Sequence, residues 1–229
     1  MKCRKMNGEN DANIKFDDRG NAIPYYGNTI ISFTNDENTG IYQQALLAQN
    51  RLKESSFADC LAFLPPDSFH MTVLTLCREI DRGTSFWPRG VGQTETFSRI
   101  DAILKERAEQ IKAPEGIMMQ VEECQLTKLT LKPWRKEDAE KLKSYRDQVA
   151  EAVGIHHFWH DNFQFHISLD YHIRHLSEEQ EKERQQICKE LTRDLLSKAE
   201  PFRVEQPVFV IFNDMFCYER ELKKRGNLY

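Results

Sequence analysis

The stretch FHMTV, residues 69–73, is matched 96 positions further on (166 minus 70) by FHISL, residues 165–169. Both copies read aromatic, His, any residue, hydroxyl, aliphatic. In a β-strand successive side chains point to opposite faces. Phe69, Met71 and Val73 therefore share one apolar face, and Ser68, His70 and Thr72 share the other. The second copy sorts the same way, with Phe165, Ile167 and Leu169 opposite Gln164, His166, Ser168, Asp170 and His172. A histidine and a hydroxyl two residues apart stand side by side, about 7 Å apart along the strand. If the two strands face each other, two imidazoles and two hydroxyls converge.

Periodicity extends this reading outward. Before the first copy, residues 28–34 (NTIISFT) read as a strand, 39–55 as an amphipathic helix and 60–65 as a short strand; the copy itself lies in a strand at 68–77. Residues 79–95 carry three glycines and a proline without periodicity, and read as an excursion loop. A helix at 96–112 and strands at 117–124 and 128–134 follow, then a helix from Lys136 to Val153 with Gly154 as its stop. The second copy sits in a strand at 163–173. A helix at 177–199 opens on Ser177 with Gln180 three residues on, the spacing of a capping box, and closing strands occupy 202–214. Each half thus delivers strands backed by helices and one copy of the motif. This predicts an α+β fold of two similar lobes, each with a small antiparallel sheet. Residues 1–22 are polar and read as an N-terminal arm, leaving 23–229 as one bilobal domain.

Composition limits what such a chain does. Its 229 residues are 40% hydrophobic and 30% charged, enough to bury a real core. With 32 basic against 36 acidic side chains the net charge is −4, which argues against a long nucleic acid held by many phosphate contacts and for a small substrate. The basic run Lys223, Lys224 and Arg225 reads as a solvated tail. No stretch approaches the ~18 apolar residues of a membrane span and no signal-peptide core precedes residue 15. The expected location is the cytoplasm. The six cysteines form no Cys-x-x-Cys pair, which suits reduced thiols and speaks against a disulfide framework or a zinc knuckle.

The twin His-x-[Ser/Thr] strands, about a hundred residues apart in a two-lobed chain, resemble the 2H phosphoesterase superfamily, which includes RNA-ligase-like and cyclic nucleotide phosphodiesterases. KFDDRGNAIPYYGNTII (15–31), PPDSFHMTV (65–73) and FQFHISLDY (163–171) resemble more narrowly a little-characterised branch known only as a domain of unknown function. The similarity extends over most of residues 15–219. It implies a cleft between two antiparallel sheets with helices packed outside. It also implies catalytic roles for His70 and His166 and phosphate-holding roles for Thr72 and Ser168. Ser168 stands where the first motif has Thr72.

The residue types suit that chemistry on their own terms. Cleaving a phosphodiester, or opening a cyclic phosphate, needs a proton taken from the attacking oxygen and another given to the departing alkoxide, and imidazole does both near neutral pH. Hydroxyls donate to the non-bridging oxygens. The scheme requires neither metal nor cofactor. Which histidine is the base depends on the direction of the substrate. The expected partner is a small nucleotide or short oligonucleotide.

Weaker candidates surround this set. Tyr171 is placed to touch phosphate or a base, although alternation favours the core for it. Tyr25, Tyr26 and Trp87 are candidate stacking groups. HHFWHD (156–161) offers His156, His157, His160 and Asp161 as a competing metal set, read here as a polar loop entering the second strand. A module of the same fold that holds a nucleotide without turning it over is the third reading.

Overall fold

The computed structural model describes residues 14–197 and 200–225. Positions 1–13 of the expected arm and the last two positions of the expected helix 177–199 lie outside the described residues. The elements run β1 (Gly27–Phe33), α1 (Gly40–Lys53), β2 (Leu61–Phe63), β3 (His70–Arg78), α2 (Phe97–Glu109), β4 (Met118–Gln125), β5 (Lys128–Pro133), α3 (Lys136–Val153), β6 (His166–Ser168), β7 (Asp170–His172), α4 (Glu178–Ser197), β8 (Phe202–Arg203) and β9 (Val208–Phe212). Gly154 ends α3 in the left-handed region at φ 73°. Ser177 and Gln180 exchange side-chain-to-backbone hydrogen bonds, completing the capping box expected ahead of α4.

The mixed α/β architecture is the expected one, and the two sheets prove to be halves of a single sheet. Seven strands run in the order β8-β4-β5-β6-β3-β1-β9, every described pairing antiparallel. The halves join at β3 and β6 through one pair, Met71 with Ile167. The C-terminal strand β9 crosses back to pair with β1, so the last strand completes the first lobe. The strand expected at 163–173 is broken. Its first part, β6, lies in the large sheet, and β7 pairs with β2 in a separate two-stranded ribbon. Leu169 is the switch point: its N–H donates to Thr127 and its carbonyl accepts from Leu64. Gln49, fully buried on α1, donates to the carbonyls of both Leu64 and Leu169, each at 2.8 Å. One side-chain amide thus ties the helix to the exit of β2 and the exit of β6 together.

A second buried group, Arg146 of α3, donates to Val73 in β3 and to His160 in the segment leading into β6, and lies over the rings of Phe163 and Phe165. The excursion loop is ordered by Arg78–Asp81 and Arg82–Glu79 ion pairs. The described end of the arm folds as a hairpin, Phe16 bridging Ala22 with its ring in the core. Gly27 is needed for a close approach, because the Phe212 ring occupies the space a Cβ would take. No helix among the described residues is long and apolar enough to cross a membrane.

The basic run near the C-terminus is not all solvated. Lys223 and Lys224 are exposed, but Arg225 is buried against Asp101, with Nη2 2.6 and 2.7 Å from the two carboxylate oxygens. It also donates to the carbonyls of Gly27 and Phe212. Alanine at 225 leaves a buried carboxylate without its partner. Arg225→Ala is expected to cost about 3–5 kcal/mol of folding stability in urea titration, whereas Lys223→Ala, in an exposed pair, should leave the urea midpoint nearly unchanged.

Candidate active site

The Met71–Ile167 pair fixes what stands beside it. Both side chains are fully buried on the core face, so their neighbours point to the opposite face. In an antiparallel register that pair sets His70 opposite Ser168 and Thr72 opposite His166, with the two histidines on a diagonal of roughly 7–8 Å. The flanking strands extend the rows. Phe33 lies beside His70 and Lys128 beside Ser168; Ile31 lies beside Thr72 and Thr130 beside His166. His70, Thr72, His166 and Ser168 therefore occupy one small patch of one face.

Both imidazoles are held alike. His70 Nδ1 is 2.7 Å from the Ser68 carbonyl, and His166 Nδ1 is 2.9 Å from the Gln164 carbonyl. A carbonyl only accepts, so each Nδ1 carries the proton and each Nε2 presents its lone pair. His70 is buried and His166 half-buried. Burial is the main reason both are held down at about 4, against an ordinary value of 6.5. The carbonyl contacts act the other way. His166 further depresses His70, while Lys128 and Lys15 further depress His166. Both rings are neutral at pH 7. Among the described residues neither the Thr72 nor the Ser168 hydroxyl has a hydrogen-bond partner, whereas Thr130 turns its hydroxyl to the Glu123 carbonyl.

An aromatic wall closes one side. The C-terminal segment doubles back, Glu219 pairing with Ile211, and brings the Tyr218 ring within 4.1 Å of the His70 ring. Tyr171 packs on Phe16, and its hydroxyl and that of Tyr218 both point at the Met215 sulfur. The Lys15 ammonium lies over the Tyr25 and Tyr171 rings at 5.4 and 4.8 Å. Tyr25 is buried, stacked on Phe212 and bonded through its hydroxyl to Arg78.

The remaining candidates lie elsewhere. Tyr26 points to the opposite face, against Phe97 and Arg225. Trp87 is buried, its indole N–H donated to Val91 and its ring under Arg82, which anchors the excursion loop. In the 156–161 segment the histidines turn to different partners. His156 lies near Glu151, His157 stacks on Trp159 against the Leu76 carbonyl, and His160 pairs with Asp147. Among the described residues no three His, Cys, Asp or Glu side chains are grouped to hold an ion.

Lys128, Lys15 and Tyr218 are the neighbours that the sequence reading passed over. Lys128 had a signal: it alternates with Leu129 and Leu131, so it belongs to the polar face of its strand. Lys15 and Tyr218 come from segments that carry no such periodicity.

Two strand-borne His-x-[Ser/Thr] motifs meeting at the centre of a curled antiparallel sheet, with four helices among the described residues, define a 2H phosphoesterase-like fold. Residues 15–130 match the family 2H-phosphodiest, described as a domain of unknown function (DUF1868), and the chain belongs to that family. The matched stretch contains the first motif and ends before the second. The crystal structure of the conserved protein of unknown function ATU0111 from Agrobacterium tumefaciens str. C58 has the same fold, with a TM-score of 0.85 over 91% of this chain and 89% of that one at 24% identity. TT0787 of Thermus thermophilus is 17% identical, with a TM-score of 0.41 over 81% of this chain and 86% of that one. No curated protein matches the chain.

The depressed imidazoles make stability depend on pH. Unfolded, each histidine titrates near 6.5; folded, near 4, so the unfolded chain binds more protons between these values. The contribution is fully present above pH 6.5 and is lost as pH falls toward 4. For buried His70 the full displacement amounts to about 3 kcal/mol. The urea midpoint is expected to fall between pH 7 and 4.5, and the fall to be shallower in His70→Gln. An equal fall in that variant would show that His70 is not depressed by the fold.

Proposed function

We propose that the protein is a phosphodiesterase acting on a small nucleotide or short oligonucleotide, a cyclic phosphate or a 2′,5′-linked diester, by two-histidine acid–base catalysis. The observation that carries this reading is the matched pair of Nδ1–H···O=C hydrogen bonds. They leave two Nε2 atoms presented on one face, diagonal to each other, with a hydroxyl opposite each that has no hydrogen-bond partner among the described residues. That is the layout an in-line displacement at phosphorus asks for.

One Nε2 takes the proton of the attacking water or hydroxyl, and the other delivers a proton to the departing oxygen. The Thr72 and Ser168 hydroxyls donate to the non-bridging oxygens as charge accumulates there. Two neutral imidazoles do not make an acid, so the pair must take up one proton as the substrate binds. A bound phosphodiester anion supplies the reason, since a negative charge within a few ångströms favours the imidazolium. The proposed reaction asks for no Lewis acid and no organic cofactor.

The test is a screen of purified protein, in excess EDTA, against 2′,3′-cyclic nucleotides, 2′,5′-linked oligonucleotides and ADP-ribose cyclic phosphate, with product linkage identified. Turnover is expected to persist in chelator. His70→Ala and His166→Ala are each expected to lose on the order of 10²–10⁴ in turnover, and the double variant far less than the product of the two. Thr72→Ala and Ser168→Ala should lose less. Nucleotide binding without turnover would identify a holding module, and activity restored only by a divalent ion would redirect attention to His156, His157, His160 and Asp161.

A further inference from the structure

The face of the sheet that points away from the candidate site carries a second group of reactive side chains. Cys124 of β4 pairs with Leu129, Leu129 with Ile167 and Ile167 with Met71, so one row of cross-strand partners runs from this thiol to the seam that sets the site. Helix α4 packs on the end of that row. The Thr192 hydroxyl accepts from the Cys124 N–H at 3.0 Å and donates to the Cys124 carbonyl at 3.5 Å. Cys188 stands four residues before Thr192, one turn earlier on the same face of the helix. The Cys124 and Cys188 side chains meet there as hydrogen-bond partners, both as free thiols. Cys124 is buried and Cys188 half-buried, and both line a groove of about 870 Å³ between β4 and α4. The two thiols are not equivalent. The hydrogen bond pushes Cys124 up and draws Cys188 below the usual thiol range, and Arg184 assists at Cys188 against burial and the Glu181 and Glu123 carboxylates. Asp170 acts on this pair as well, and its two buried carboxyl oxygens have no partner among the described residues. Burial holds it well above the usual carboxylate range, so it sets no negative charge against a thiolate. Burial pushes the Cys60, Cys77 and Cys217 thiols up. The thiolate is the nucleophile, and Cys188 is the described cysteine that favours it.

We propose that Cys188 and Cys124 are a reversible redox pair whose oxidant is a hydroperoxide: Cys188, open to the groove, reacts first, and Cys124, behind it, closes the disulfide. The Cys188 sulfur attacks one peroxide oxygen. An S–O bond forms, the O–O bond breaks, and the other oxygen leaves as water or an alcohol, carrying the proton that Cys188 gave up. The Cys124 sulfur then attacks the Cys188 sulfur. The S–S bond forms, the S–O bond breaks, and the departing hydroxide takes the Cys124 proton and leaves as water. The two thiols lose two electrons and the peroxide gains them. A small-molecule thiol reverses the change by exchange, through a mixed disulfide. The bond ties α4 to β4 at the end of the row that holds Ile167 and Met71. This chemistry does not depend on the phosphodiesterase reading.

The test starts from the full chain, reduced and then treated with equimolar hydrogen peroxide, digested without reductant and mapped by mass spectrometry. The expected product is a peptide pair joining Cys124 to Cys188, lighter by two hydrogens and released by dithiothreitol. The oxidised chain should unfold at a higher urea midpoint than the reduced one, because the bond closes a long loop in the unfolded state, and Cys188→Ser should abolish that shift. In Cys124→Ser, Cys188 should accumulate as a sulfenic acid that dimedone traps. In the reduced native chain, iodoacetamide should label Cys188 roughly tenfold faster than Cys217, although Cys217 is the more exposed. A disulfide that joins any other pair of cysteines, or a Cys188 labelled no faster than Cys217, overturns the proposal. Both of these readings come from the native chain, so they decide the matter even if Cys124→Ser fails to fold.

Discussion

The site depends on one backbone register, Met71 against Ile167. Because strand side chains alternate, burying these two in the core leaves His70, Thr72, His166 and Ser168 no choice of face. A slip of one residue on either strand would bury a histidine and expose a core side chain. The cost of that exchange, on the order of 1.5–3 kcal/mol for each large apolar side chain brought into water, guards the geometry of the cleft. The layout of the candidate site and the hydrophobic core are therefore two sides of one constraint.

A single pair is a narrow seam, and the fold reinforces it with buried polar anchors on either side. Gln49 holds the carbonyls of Leu64 and Leu169, just before β3 approaches and just after β6 leaves. Arg146 holds the Val73 carbonyl of β3 and the His160 carbonyl on the path into β6. Each bonds two separate segments with one side chain, and each is shut away from water that could compete. Removing either would take one donor from each of two buried carbonyls, a penalty of about 1–3 kcal/mol for a carbonyl left with none, although Leu169 keeps the Leu64 N–H. The His70 strand is thus positioned from both ends by groups that never reach the cleft.

Alternation made the two motifs readable, because a period of two needs only a few residues to declare its faces. The break of the second strand at Leu169 was not readable, since FQFHISLDYHI contains no glycine or proline and the switch is dictated by Leu64 and Thr127, far away in sequence. Arg225 was misjudged for a related reason. A run of three basic residues looks solvated locally, and its partner Asp101 lies 124 positions away. Tyr25 and Tyr26 illustrate the limit of reading residue types without faces. Being adjacent, they point to opposite sides, and only Tyr25 shares a lysine with Tyr171. What local pattern conveys is which face a side chain takes; what it leaves out is which distant element arrives to meet that face.

The depressed imidazoles link proton, ligand and fold. Binding an anion favours protonation of the pair, and by reciprocity protonating the pair must tighten anion binding. Under the proposed function, anion affinity therefore rises as pH falls toward the folded histidine values near 4. Over the same interval, from 6.5 downward, those histidines draw stability out of the native state, because the unfolded chain protonates first. The two trends oppose each other, and a bound anion relieves both by letting one imidazole keep its proton inside the fold. Under the proposed function, a cleft built this way holds its histidines neutral and its core intact when empty, and acquires its acid only on binding a phosphodiester.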